Sequence, residues 1–390
     1  MPVVELTSPT NVFDVAVFHQ LGPALRDFIA TRRWFRAKTR TIQNVTVEDV
    51  IPANAPGCYF LITRIHYRDG ESDRYAIDTR IGELSFGDAP TGRDPEPSGD
   101  VIATYRTGNG GQGNISTALP DAAFRNALLD AVFCGRIFTG NSGEWIASRT
   151  AAASQNASNA NLPSSVSRAE QSNTSIIYSD RFILKLFRKI EPGINPDLEI
   201  SEFLTSRGFA HTPAVLGKFE YRKNGGPNYA AGILQQFVPN RGDAWKYTLE
   251  SLADFFQRAA AHGDPPQIPL PNPSATAGPE TPELVTELLG TYRASADLLG
   301  RRTAQMHAAL ADPEAGPDFA PEPFTSADAR QLCVEMMGQA DIAFELLRRK
   351  QAALTGSAAE NARAVLHVEQ RVAQHFSALQ DHAITAARIR

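Results

Sequence analysis

Cysteine is scarce in this chain of 390 residues. The three present, Cys58, Cys134 and Cys333, are far apart and form no Cys-x-x-Cys pair. That excludes a disulfide scaffold and a thiolate zinc site, and the thiols read as buried and free in a reducing cytoplasm. Long apolar runs are also missing. No stretch approaches the roughly eighteen apolar residues that a membrane helix needs, and MPVVELTSPTNVFD lacks the basic start and apolar core of a signal peptide. Runs of Lys and Arg are absent too, and the formal net charge is -5. Together these argue against a nucleic-acid surface and against a membrane, and favour a soluble, cytoplasmic protein whose partners are small molecules.

What is present is a chain too long for one ordinary core, so two or three domains are expected. Val17, Leu21, Leu25 and Phe28 recur at helical spacing within residues 13–29, although Gly22-Pro23 could divide that helix. Trp34-Phe35 follows among Arg32, Arg33, Arg36, Lys38 and Arg40, and reads as a packed aromatic pair flanked by solvated charge. Residues 42–51, 59–67 and 74–81 alternate like strands, with Asp69-Gly70 in a turn between the second and third. A helix and a small antiparallel sheet make an α+β domain over residues 1–100, and 88–100 reads as a linker. Residues 121–138 return to helical spacing and 144–149 to a strand. Residues 154–167, SQNASNANLPSSVS, have no apolar period and suit a connection.

The most informative stretch is 170–187, EQSNTSIIYSDRFILKLF. Residues 174–178 and 181–187 are rich in β-branched and aromatic side chains and meet at Ser179-Asp180, which suits a tight hairpin. With those two residues as the turn, Lys185 is expected opposite Thr174, beside the polar run Gln171, Ser172, Asn173, Thr174 and Ser175. Hydroxyls, an amide and backbone N–H groups beside an ammonium can face phosphate oxygens. Asn195-Pro196-Asp197-Leu198-Glu199 then offers a cap, a proline at the first helical position and first-turn acids. The helix it starts carries Glu199 and Glu202. A strand lysine followed by a helical glutamate is the arrangement that orients nucleotide phosphates in protein-kinase-like folds. Glu199 is the expected partner of Lys185, with Glu202 as its rival.

QSNTSIIYSDRFILKLFRKIEPGINPDLEI and FLTSRGFAHTPAVLG closely resemble the maltokinase family, whose members also occur fused to trehalose synthase. RRWFRAKTR at 32–40 is similar to the start of that family's cap domain, and Gln235-Gln236-Phe237-Val238-Pro239-Asn240 to its hinge strand. The resemblance implies ATP-dependent, Mg²⁺-dependent phosphorylation of maltose at the anomeric hydroxyl, with trehalose synthase as a partner or fusion. It implies a bilobal, aminoglycoside-phosphotransferase-like α+β fold: a cap over 1–100, an intermediate segment and ATP lobe over 101–240, and the first helices of a second lobe over 241–390. Strands at 213–221 and 228–237, joined around Asn224-Gly225-Gly226, would complete a five-stranded lobe with 144–149 at its edge. Gln236 and Val238 would meet the adenine edge. Helical spacing at 244–261, 282–310, 326–354 and 358–389 suits the second lobe.

The catalytic residues are expected to be missing. In the resembled family the base and metal ligands lie on a His-Gly-Asp loop and an Asp-Phe-Glu segment, and the resemblance implies that both would fall after Arg390. His262-Gly263-Asp264 comes too soon after the hinge, and Asp318-Phe319 lies in a Pro-rich linker, so both read as turn chemistry. Lone histidines such as His307, His367, His375 and His382 read as surface or core residues. Gly108 to Gly113 is glycine-rich, but no strand-loop-helix unit frames it as a phosphate loop. Two other readings stay open: a non-catalytic nucleotide-binding or interaction module, and a kinase for another sugar, an amino alcohol or an aminoglycoside.

Overall fold

The computed structural model describes residues 3–6, 15–82, 99–108, 110–153, 162–167, 172–262, 283–314, 316–378 and 385–390. It divides into two compact units, Met1–Leu289 and Gly290–Arg390. No described helix is long and apolar enough to cross a membrane.

The first unit holds two sheets. One has six strands in the order β1 (Val3–Leu6), β5 (Val101–Thr107), β6 (Gln112–Ser116), β4 (Ser72–Ile81), β3 (Cys58–Tyr67) and β2 (Ile42–Pro52). It therefore draws two strands from beyond residue 100; of the glycine-rich 108–113 segment, Gly108, Gly110 and Gly111 lie between β5 and β6, and Gln112 and Gly113 begin β6. Helix α1 (Val15–Thr31) covers this sheet with Val17, Leu21, Leu25 and Phe28, all buried. Gly22-Pro23 does not divide it, contrary to expectation. A Cβ on Gly22 would come within 2.6 Å of the Val45 carbonyl oxygen, so the glycine allows the helix to lie directly on β2. Burial of the apolar face then outweighs the hydrogen bond lost at Pro23.

The second sheet has seven strands rather than the expected five, in the order β7 (Ile137–Thr139), β8 (Gly143–Arg149), β12 (Val215–Lys223), β13 (Asn228–Gln236), β11 (Phe182–Phe187), β10 (Asn173–Tyr178) and β9 (Ser164–Val166). β8 is not its edge. Helix α2 (Ala122–Cys134) is stopped by Gly135 at φ 63, and the residues after it pair with β8 as β7 instead of continuing the helix. Cys134 at that stop is exposed, not buried as expected, whereas Cys58 and Cys333 are buried.

One face of this sheet packs on α2 and on the first sheet in a shared core, where Phe60 stacks on Trp145 with ring centroids 4.3 Å apart. The other face carries helix α3 (Pro196–Ser206), whose Leu198 joins Phe187, Val215, Ala230 and Ile233. Asn195 caps α3 by accepting from the N–H groups of Asp197 and Leu198, with Pro196 in the first turn, as its residue order predicts. Helix α4 (Ala244–Ala261) follows the last strand, with α5 (Glu283–Leu289) closing the unit.

The second unit contains α6 (Tyr292–Leu310), β14 (Glu322–Pro323), α7 (Ser326–Gln351), α8 (Gly356–His367), α9 (Glu369–Ser377) and β15 (Ala387–Arg388). The periods at 282–310 and 358–389 predicted single helices. Gly290, at φ 56, interrupts the first, and in the second the helix is interrupted at Val368, which caps the end of α8 and the start of α9. Thr325 and Asp328 form a reciprocal capping box at the start of α7. Hydrogen bonds from Thr325 and then Arg388 hold the Asp328 carboxyl down at about 2.

Candidate functional site

The site is built on the β10–β11 hairpin. Tyr178 pairs with Phe182, so the loop is Ser179-Asp180-Arg181, three residues and not two. Ser179 takes φ 50, and its N–H donates to the Pro163 carbonyl at 2.8 Å. The extra residue shifts the register by one, and Lys185 stands opposite Ser175, with Thr174 opposite Leu186. A shift of one residue sends every side chain to the other face. Asn173 and Ser175 therefore share the face of Lys185, and Thr174, expected beside the lysine, lies on the core side. There its hydroxyl accepts from Arg188 Nε at 2.8 Å.

Along the row that crosses the sheet at Lys185 come Ser175, Lys185, Ile233, Lys218 and Ser148. Lys185 is half-buried, and no described residue pairs with its ammonium. Ser175 is 1% exposed, and its Oγ has no hydrogen-bond partner. A buried hydroxyl without a partner is costly, and this one sits across from an unpaired cation on the same face.

Helix α3 lies on this face too. Glu199 is half-buried in its first turn. Glu202, nearly one turn later, forms an ion pair between α3 and the sheet, but its partner is Lys218 on β12, at 3.3 Å, and not Lys185. The strand of Lys218 was legible in the sequence; the role of its lysine was not, because a single Lys in an alternating strand reads as solvated.

At the expected hinge, Gln236 is exposed and its N–H donates to the Ala214 carbonyl at 2.9 Å, while the Phe237 N–H donates to Arg181 at 2.9 Å. Val238 is 53% exposed, and its carbonyl accepts from Asn240 Nδ2 at 3.1 Å. The chain then enters an open cleft of about 470 Å³ lined by Arg241, Asp243, Lys246, Tyr247 and Glu250 at the start of α4. Ser172 is half-buried at the mouth of β10, and Gln171 lies outside the described residues. Gly263 and Asp264 do so as well, and Asp318-Phe319 forms part of a turn. Among the described residues no three acidic, histidine or cysteine side chains gather as a metal site.

No family model matches the chain. Among solved structures it is similar to a glucosamine kinase in complex with glucosamine, ADP and inorganic phosphate, at 16% identity and a TM-score of 0.47. A second crystal form of glucosamine kinase gives 16% and 0.48. Each likeness covers 93% of this chain, which spans 66% of the length of those proteins.

The site residues are held from behind by buried charge. Arg188, one residue past β11, donates to Asp78 on β4 at 2.5 Å, and Asp78 is fully buried. Asp49 on β2, also fully buried, accepts from the N–H groups of Asn141 and Ser142 and from the Tyr221 hydroxyl at 3.0 Å. Burial pushes the Tyr221 phenol up, and the Asp49 charge beside it acts in the same direction. Sequence reading missed both aspartates, since neither has a local motif and their partners are distant in the chain.

Proposed function

We propose that this chain carries the nucleotide-binding part of an ATP-dependent sugar phosphotransferase of protein-kinase-like architecture, with maltose as the acceptor that its sequence resemblance implies. One observation carries the nucleotide assignment: an unpaired lysine ammonium and an unpartnered buried serine hydroxyl occupy directly opposed positions on one face of a hairpin. A phosphate group that displaced the atoms covering the serine would satisfy both at once, with charge-assisted hydrogen bonds. The succession of lysine strand, helix, two strands and exposed connecting segment is consistent with that reading.

In this assignment Lys185 binds the phosphates, with Ser172, Asn173 and Ser175 contributing hydroxyl, amide and backbone donors; Gln171 completes the run in sequence. Val238 offers the adenine contact, because the N–H groups of Gln236 and Phe237 are spent inside the lobe. Glu199 remains the partner proposed for Lys185, since Glu202 is held by Lys218. The chemistry is in-line transfer of the γ-phosphoryl group to a sugar hydroxyl, driven by positioning and by neutralisation of phosphate charge. Mg²⁺ would supply part of that neutralisation, and no described residue is assigned to it.

The test is to incubate the chain with ATP, Mg²⁺ and single sugars, including maltose and glucosamine, and to follow phosphorus NMR for a sugar phosphate. The same sample is titrated with ADP. ADP binding with no transfer supports a nucleotide-binding part that needs further residues for chemistry, and transfer to maltose supports the full assignment. Absence of ADP binding removes the proposal.

A further inference from the structure

Thr174 faces away from Lys185, toward a seam between the two sheets. β11 ends at Phe187, and the next residues leave the second sheet to pair with β4 of the first. The Ala76 N–H donates to the Arg188 carbonyl at 2.8 Å, the Ile190 N–H to the Arg74 carbonyl at 3.0 Å, and Tyr75 bridges Lys189. One run of backbone is thus held by both sheets, and Lys185 is three residues from the changeover.

The Arg188 side chain, itself buried, turns back across that seam. Its Nη1 donates to Asp78 Oδ1 at 2.5 Å and its Nε to the Thr174 hydroxyl at 2.8 Å. The other Asp78 oxygen accepts the N–H groups of Ala118 and Leu119, both at 2.8 Å. The Trp34 ring lies 5.6 Å from the guanidinium carbon. Asp78 cannot move without stripping partners from a buried charge, so the first sheet fixes one end of Arg188 and Arg188 fixes Thr174.

That second hold acts at the start of β10, beyond the β9 pairing that the described residues make. β9 pairs with Ile176, Ile177 and Tyr178, and Ser167 adds one bond to the Ser175 carbonyl. Among the described residues nothing on the β9 side bonds Asn173 or Thr174. Among the described residues β11 holds their backbone, and the Arg188 side chain adds a second hold on Thr174.

We infer that Thr174 and Arg188 are positioning residues, through which the first sheet sets the pose of Ser172, Asn173 and Ser175 against Lys185. The cap domain then acts on nucleotide affinity without touching the nucleotide. This inference rests on the nucleotide reading above. It moves Thr174 from the phosphate contacts, where its sequence position put it, to the support behind them.

The test is ADP titration calorimetry on the full chain and on Thr174→Val, Thr174→Ser and Lys185→Met, at a temperature where circular dichroism shows every variant fully folded. Thr174→Val keeps the shape and removes the hydroxyl, and should weaken ADP about five-fold, the scale of one hydrogen bond. Thr174→Ser restores the hydroxyl and should bind as the wild type does, a rescue that packing alone would not give. Wild-type affinity in Thr174→Val, with weakened binding in Lys185→Met, overturns the inference and leaves the nucleotide site standing. Equal losses in the Val and Ser variants also overturn it. An unaffected Lys185→Met overturns the nucleotide reading itself.

Discussion

Ser175 and Lys185 stand directly opposite each other on β10 and β11, and the serine Oγ, sealed from solvent, has no hydrogen-bond partner. Such a hydroxyl costs the fold more than it returns unless something else satisfies it. Two effects of opposite sign follow for Ser175→Ala. Removing a buried unsatisfied group should raise stability by about 1 kcal/mol, while loss of a phosphate contact should weaken ADP roughly ten-fold. Urea unfolding and ADP titration on one preparation check both. A variant that is less stable and binds ADP normally would assign Ser175 to packing.

The Glu48 carboxylate ties three strands to a fourth. It accepts from Arg64 Nε at 2.6 Å and from Arg74 Nε at 2.5 Å, and Arg74 also donates to the Tyr229 hydroxyl on β13 at 2.6 Å. Burial alone would raise the carboxyl, but the hydrogen bonds from Arg74 and Arg64 and their charges hold it below its ordinary value of 4.5. The folded state therefore binds fewer protons at Glu48 than the unfolded state. Its contribution to stability is complete above 4.5 and is lost as pH falls through the lowered folded value. Glu48→Gln should be less stable than wild type by about 1–3 kcal/mol near neutral pH, with the gap closing in acid. Denaturant midpoints across that range measure it, and a gap independent of pH would contradict the assignment.

Much of the frame was legible because its signals are local. Asn195-Pro196 announces α3, residues 244–261 match α4 to the residue, Asp69-Gly70 turns β3 into β4, and Gly225, at φ 66, turns β12 into β13. The candidate lysine and its polar neighbours were legible as a pattern too. The register between them was not, because it depended on Ser179 taking a left-handed conformation whose N–H is held by Pro163, a contact from another strand's entry. The partner of Glu202 was equally hidden. Lys218 and Lys185 both alternate in strands at the same depth of the sheet, and nothing local shows which of them α3 will reach. The buried pairs of Asp78 with Arg188 and Asp49 with Tyr221 join residues 110 and 172 positions apart, beyond the reach of any periodicity. Hairpins and caps are written in neighbouring residues; ion pairs across a seam are written in the fold.

The nucleotide assignment stands or falls on Lys185, and Lys218 provides an internal control. The two lysines lie on one face and in one row of the sheet, but Lys218 is engaged by Glu202 whereas no described residue pairs with Lys185. The most direct measurement is the equilibrium affinity for ATP of wild type, Lys185→Met and Lys218→Met, each shown folded by circular dichroism. The account predicts a loss of about ten- to a hundred-fold for Lys185→Met, the scale of a charge-assisted hydrogen bond, and little change for Lys218→Met. Wild-type affinity in Lys185→Met, or a larger loss in Lys218→Met, would contradict it.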